Sequence, residues 1–219
     1  MHGALPALGA IRDRLLLHVL TDRALSRGRT DPEVAAAALA GGATVVQLRG
    51  KTLSGAELVR AGRQLRDLTR VHGGLLIVND RVDVALAVDA DGAHVGQDDL
   101  LARDARRLLG SDRLLGVSAR SVEEAVRAQR DGADYIGFGP VFSTTTKEDA
   151  GAPSGLDELR RASRAVAIPV VAIGGITPHN AGLVRAAGAA GVAVISAVVG
   201  APDIAEATRT LRRAIEGDG

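Results

Sequence analysis

Short apolar runs bounded by turn residues recur along the chain at Leu15–Leu20, Thr44–Leu48, Leu75–Val78, Gly92–Val95, Leu114–Val117, Tyr135–Phe138, Ile168–Ile173 and Gly191–Ile195. Most are continuous rather than alternating, the pattern of strands buried on both faces. Between most of them lie stretches with helix start and stop chemistry. Thr30-Asp31-Pro32-Glu33 opens one that ends at Gly41-Gly42, with proline suited to the first turn. Ser54 with Glu57 and Ser121 with Glu124 have capping-box spacing, and Thr177-Pro178 opens a helix that stops near Gly188. Strand and helix alternation repeated eight times predicts an α/β fold, a single (β/α)8 TIM barrel over residues 14–219. An open doubly wound sheet is the alternative. Residues 1–13 read as an N-terminal arm or short helix, and Arg81–Ala90 has room for only about two helical turns.

Composition narrows the function classes. The chain has 219 residues, 46% of them apolar, enough to bury a sizeable core. Its 27 Lys plus Arg against 26 Asp plus Glu give no long-range field to attract nucleic acid or an anionic membrane. The only aromatics, Tyr135, Phe138 and Phe142, are too few for base-stacking platforms. Absence of cysteine excludes disulfides, thiolate catalysis and Cys-based zinc sites, and fits a cytoplasmic protein. The longest uncharged run, Ala165–Val184, is interrupted by prolines, glycines and Asn180, so no membrane span is expected.

In a barrel the chemistry sits where each strand ends. The second run leads into Gln47-Leu48-Arg49-Gly50-Lys51, the third into Asn79-Asp80-Arg81 and the fourth into Gly96-Gln97-Asp98-Asp99. The fifth ends at Ser118, the sixth leads to Thr144-Thr145-Thr146-Lys147, the seventh to Gly174-Gly175 and the eighth to Ile195-Ser196. Of the 27 cationic residues only Lys51 and Lys147 are lysines, and both fall on this rim. A compact three-donor ammonium suits phosphate oxygens.

Asp80 and Asp99 can hold a hard divalent cation whose remaining ligands are phosphate and water, or they can cap the helices that follow them. The Gly174-Gly175 turn and the Ile195-Ser196 segment stand where barrels bind phosphate through backbone N–H groups. The stretch from Val141 to Ser154 reads as a ligand-covering loop or a solvated linker, and His94, inside an apolar strand, as a packed core residue rather than a base. No spacing suggests a catalytic triad or a zinc protease motif.

Six motifs, in order, resemble the thiamine-phosphate synthase family. They are Gln47-x-Arg49-x-Lys51, Asn79-Asp80-Arg81-Val82-Asp83, His94-x-Gly96-Gln97-x-Asp99, Gly116-Val117-Ser118, Gly137-x-Gly139-Pro140-Val141-Phe142 with Thr144-x-Thr146-Lys147, and Ile173-Gly174-Gly175-Ile176-Thr177. The resemblance spans roughly Leu15 to Val199. It implies transfer of a 4-amino-2-methylpyrimidinylmethyl group from its diphosphate to 4-methyl-5-(2-phosphoethyl)thiazole, giving thiamine phosphate and pyrophosphate, with Mg2+ as cofactor. It assigns Asp80 and Asp99 to the metal, and Arg49, Lys51, Asn79 and Lys147 to the diphosphate. Gln47, Ser118, Thr144 and Thr146 complete the diphosphate and pyrimidine contacts, while Gly175, Ile195 and Ser196 hold the thiazole phosphate. Arg49, Lys51, Ser118 and Lys147 are the catalytic candidates. The aminopyrimidine can stabilise a methylene cation, so the implied route is dissociative and needs no protein nucleophile.

The chain departs from the family pattern at Gly50, where glutamate is usual, at Ser143, where proline is common, and at Arg120, where a histidine is frequent. Sister thiazole tautomerases use that histidine, which separates them from this chain. A phosphate-binding barrel without catalysis is the remaining alternative. Small-molecule substrates are the expected partners, with no nucleic acid or membrane, and the helix faces of a barrel can support a homo-oligomer.

Overall fold

The computed structural model describes residues 8–146 and 151–217. Its eight strands are β1 (Leu17–Leu20), β2 (Val45–Leu48), β3 (Leu75–Asn79), β4 (Gly92–Val95), β5 (Leu114–Ala119), β6 (Tyr135–Phe138), β7 (Val170–Ile173) and β8 (Gly191–Val194). They pair in parallel in chain order and β1 closes on β8, a complete (β/α)8 barrel. The helices are α1 (Leu8–Arg14), α2 (Asp31–Ala40), α3 (Gly55–His72), α4 (Val82–Ala87), α5 (Ala102–Leu109), α6 (Val122–Arg130), α7 (Gly155–Ala165), α8 (Pro178–Ala186), α9 (Ser196–Val199) and α10 (Ile204–Glu216). No described helix is long and apolar enough to cross a membrane.

Local chemistry explains most boundaries. Thr30 and Ser54 close reciprocal capping boxes with Glu33 and Glu57, satisfying two N-terminal donors of each helix. Ser121 accepts from Glu124 N, but the Glu124 carboxylate takes the amide of Arg120 instead, so this box is displaced by one residue. The first strand starts two residues later than the apolar run, because Leu15 N still closes a turn onto Arg12 O. β7 starts after Pro169, which has no N–H to give to the ladder.

Arginine is the structural cation of the outer layers. Arg66 of α3 and Arg106 of α5 each grip an aspartate, Asp91 or Asp134, that also accepts a strand amide, Leu76 N or Leu115 N. Arg106 further donates to the carbonyls of Gly110, Arg113 and Gly132, and Arg29 to those of Val199, Ala201 and Pro202. A planar five-donor fork can satisfy several carbonyls at once, which an ammonium cannot do in fixed geometry.

The barrel interior is not uniformly apolar. His18, Tyr135 and His94 are buried there, and the aromatic rings of His18 and His94 lie 5.5 and 5.6 Å from that of Tyr135. Gly116 keeps the space for them: a Cβ there would lie 2.2 Å from Tyr135 Cζ and 2.4 Å from His94 Nδ1. Gly116→Ala is therefore expected to destabilise the fold by about 1–3 kcal/mol, the usual cost of overpacking, as read by urea unfolding.

Candidate active site

A cavity of about 400 Å³ opens at the C-terminal ends of the strands. Its wall includes Arg49 and Lys51 after β2, Asn79 and Asp80 at the end of β3, and Gly96 to Asp99 after β4. Ser118 and Arg120 contribute from β5 and the residue beyond it, Thr144 and Thr146 from the loop after β6, Gly174 and Gly175 after β7, and Ile195 and Ser196 after β8. Of the described positions that the resemblance assigns to substrate or metal, the structure brings eleven, Arg49, Lys51, Asn79, Asp80, Asp99, Ser118, Thr144, Thr146, Gly175, Ile195 and Ser196, onto one wall. Gln47 is not on it. That side chain is 3% exposed inside β2, flanked in register by Leu20 and Ile77. Lys147 lies outside the described residues.

Neither rim aspartate caps a helix. α4 starts from Arg81 and α5 from Leu101, leaving Asp80 and Asp99 upstream of the cap positions. Asp80 sits in the left-handed region at φ 63°, with its amide donating to His94 O at 2.7 Å. Aspartate tolerates that conformation better than most residues, and here it marks the sharp exit from β3. Asp99 folds back so that its carboxylate accepts from Gly96 N at 2.8 Å. Arg81 is engaged by Asp83 through two hydrogen bonds of 2.9 and 2.6 Å, and this holds the Asp83 carboxyl below its usual range.

No cluster of three or more His, Asp or Glu side chains suited to a metal occurs among the described residues. Two carboxylates on a cavity wall that also carries Arg49, Lys51 and Asn79 fit a hard cation completed by phosphate oxygens and water, and do not fit a zinc site with a full protein ligand set.

No residue following β1 was expected at the site, yet the two that follow it support Arg49 from behind the wall. Thr21 Oγ1 accepts from Arg49 N at 3.1 Å, and Asp22 pairs with Arg49 Nη1 at 2.5 Å, both side chains about nine-tenths buried. Their signal was the polar pair directly following Leu20. Arg49 Nε, buried, has no hydrogen-bond partner among the described residues. Gln97 also stands in the wall, where its amide nitrogen donates to Ser118 O at 2.5 Å and so ties the β4 loop to β5.

The far side of the cavity is fastened by close contacts between loops. Val141 N and Phe142 N donate to Ile173 O and Gly174 O, and a Cβ on Gly174 would lie 2.5 Å from the Pro140 side chain. Gly174 and Gly175 both have positive φ, at 99° and 63°. Asn180, beyond its helix-start role, donates from its amide to Gly175 O at 3.0 Å. Thr146 Oγ1 reaches Ser196 Oγ at 3.1 Å, joining the β6 loop to the start of α9. At one of the departures, Gly50, a Cβ would lie 2.6 Å from Leu53 Cδ1 and 2.9 Å from Leu58 Cδ2, so a larger residue there needs these leucine side chains to shift. Arg120 stands in the cavity wall with its amide held by Glu124 at 2.7 Å.

Comparison with known proteins gives the same reading. The family described as thiamine monophosphate synthase matches residues 17–198. A thiamine-phosphate synthase of Chloroflexus aurantiacus is 60% identical over 196 residues, 90% of each chain. One of Moorella thermoacetica is 55% identical over 199 residues, covering 91% of this chain and 95% of that one. The solved thiamine phosphate pyrophosphorylase of Pyrococcus furiosus superposes with a TM-score of 0.88 at 45% identity, covering 94% of this chain and 98% of that one. With a match over most of its length and identities of this size, the chain belongs to the thiamine monophosphate synthase family of transferases.

Proposed function

We propose that the chain transfers the aminopyrimidinylmethyl group from its diphosphate to the ring nitrogen of the thiazole phosphate, by a dissociative route that depends on Mg2+. The observation that carries this reading is one cavity wall bearing Asp80, Asp99, Arg49, Lys51 and Asn79 together with the Gly174-Gly175 turn and Ser196. The first group suits a diphosphate with its metal, the second a monophosphate. When bound, Mg2+ would neutralise charge on the departing pyrophosphate, with Asp80 and Asp99 as its protein ligands.

The chain's own residues account for the rest. Arg49, Lys51 and Asn79 bind the diphosphate oxygens as negative charge develops on the leaving group, and their fixed positions lower the reorganisation needed. Asp22 and Thr21 hold Arg49 in place. Ser118 contributes a hydroxyl at the end of β5, Thr144 and Thr146 border the site from the β6 loop, and Lys147 of the same motif supplies a further cation to the diphosphate. The Gly175 turn and Ile195-Ser196 seat the thiazole phosphate so that its nitrogen lies near the methylene carbon, and proximity replaces a protein nucleophile. A tautomerase needs a proton carrier where Arg120 stands, and a guanidinium cannot act as a base near neutral pH.

Two outcomes test this account. An electron-withdrawing substituent on the pyrimidine is expected to slow turnover by orders of magnitude if a cation develops at the methylene carbon; an unchanged or faster rate contradicts the dissociative route. Asp22→Ala is expected to lower kcat/KM about 10- to 100-fold through loss of the charge-assisted bond to Arg49. Steady-state kinetics at varied diphosphate concentration will measure it.

A further inference from the structure

Below the cavity, the barrel interior carries a hydrogen-bonded line that ends on the cavity wall. His94 of β4 and Tyr135 of β6 are both register neighbours of Gly116 on the intervening β5. His94 Nδ1 lies 3.2 Å from the Tyr135 hydroxyl, and His94 Nε2 lies 2.9 Å from Ser118 Oγ. Tyr135 is 1% exposed and His94 8%, whereas Ser118 borders the cavity. Two glycines keep the imidazole's space clear, Gly116 as noted and Gly137, where a Cβ would lie 2.6 Å from His94 Cε1. The arrangement is specific to these rings rather than a by-product of loose packing.

The direction of the hydrogen bonds follows from burial. Among the described residues, the Tyr135 hydroxyl has one hydrogen-bond partner, His94 Nδ1. A buried O–H without an acceptor is costly, so the phenol donates and Nδ1 accepts. The neutral imidazole then carries its proton on Nε2 and donates to Ser118 Oγ. With an Oγ lone pair engaged from below, the serine hydrogen is left to point into the cavity. The opposite tautomer would leave the phenol hydrogen without an acceptor and turn Ser118 inward.

We propose that Tyr135 and His94 are positioning residues that fix the Ser118 hydroxyl as a hydrogen-bond donor toward the cavity, so that this point on the wall takes an acceptor atom of the substrate, either a diphosphate oxygen or an unprotonated ring nitrogen. The assignment of substrate rests on the proposed function; the tautomer does not.

The test has a spectroscopic and a kinetic part. In the full chain labelled with 15N-histidine, with the His94 signals identified by their loss in His94→Gln, two-bond 1H–15N spectra are expected to show the proton on Nε2. Tyr135→Phe is expected to shift His94 toward the other tautomer. A wild-type His94 protonated on Nδ1, or on both nitrogens at neutral pH, overturns the proposal. In the coupling assay, Tyr135→Phe is expected to lower kcat about 10-fold, the size of one directed hydrogen bond, and to have no further effect in a Ser118→Ala background. An equal loss in both backgrounds marks a merely structural role and overturns it. Should Tyr135→Phe fail to fold, the wild-type tautomer still decides the question. Titration with inorganic pyrophosphate and, separately, with the pyrimidine alcohol locates the acceptor: Ser118→Ala is expected to weaken one of the two about 10-fold, and no change in either overturns the donor assignment. Absence of turnover in the wild type would refute the proposed function while leaving the tautomer result readable.

Discussion

Asp99→Ala is expected to lower turnover at least about 100-fold and to leave the thermal midpoint within about 2 °C of the wild type. The asymmetry follows from where the side chain sits. Asp99 is exposed on the β4 loop and its carboxylate makes a single described hydrogen bond, to Gly96 N, so its removal opens no cavity and strands no buried group. The loss falls instead on the charge arrangement around the leaving pyrophosphate. Lys147→Ala is expected to behave alike on the strength of its motif. Wild-type kcat in Asp99→Ala, measured at saturating substrates and Mg2+, would remove the carboxylate from the machinery; a collapsed thermal midpoint would instead make it structural.

The second large effect is on acid stability. His18 lies fully inside the barrel, and burial pushes its pKa down from 6.5 to about 3, with the Leu15 backbone pulling weakly the other way. Its Nε2 has no hydrogen-bond partner among the described residues. The folded protein therefore keeps His18 neutral while the unfolded chain takes up a proton below pH 6.5. Stability from this group is full above pH 6.5 and falls by about 1.4 kcal/mol per unit as pH drops, to a total of about 5 kcal/mol near pH 3. Urea unfolding at pH 7.5 and 5.0 is expected to show a loss from this source of about 2 kcal/mol in the wild type. The loss in His18→Leu should be smaller by that amount. Equal losses in both proteins would show that His18 titrates normally.

Architecture was legible because continuous apolar runs and capping chemistry carry local information. The Thr30 and Ser54 boxes lie where their spacing predicts them. The rim was legible for a different reason: in a barrel each strand end is a known address, so reading the residue after each apolar run places Arg49, Asp80, Asp99 and Ser118 on one wall. Strands buried on both faces hide which residues point inward, and Gln47, which the resemblance assigns to the substrate, is a buried residue of β2 that the pattern alone does not orient. His94 was legible as a packed core residue, but the same loss of alternation concealed its partnership with His18 and Tyr135. Gly116 and Gly137 were the available clue, since glycine within a strand marks a close approach by another group. Asp22 escaped notice because its role is to hold Arg49, a partnership across 27 residues that no local pattern records.

The most direct measurement combines purified protein, Mg2+, the pyrimidine diphosphate and the thiazole phosphate, and follows thiamine phosphate and pyrophosphate together. The account predicts both products in equal amounts, none with either substrate alone, loss of turnover in EDTA and its return on adding Mg2+. Binding of both substrates with no product would make the chain a silent phosphate-binding barrel, and undiminished turnover in EDTA would contradict the role given to Asp80 and Asp99.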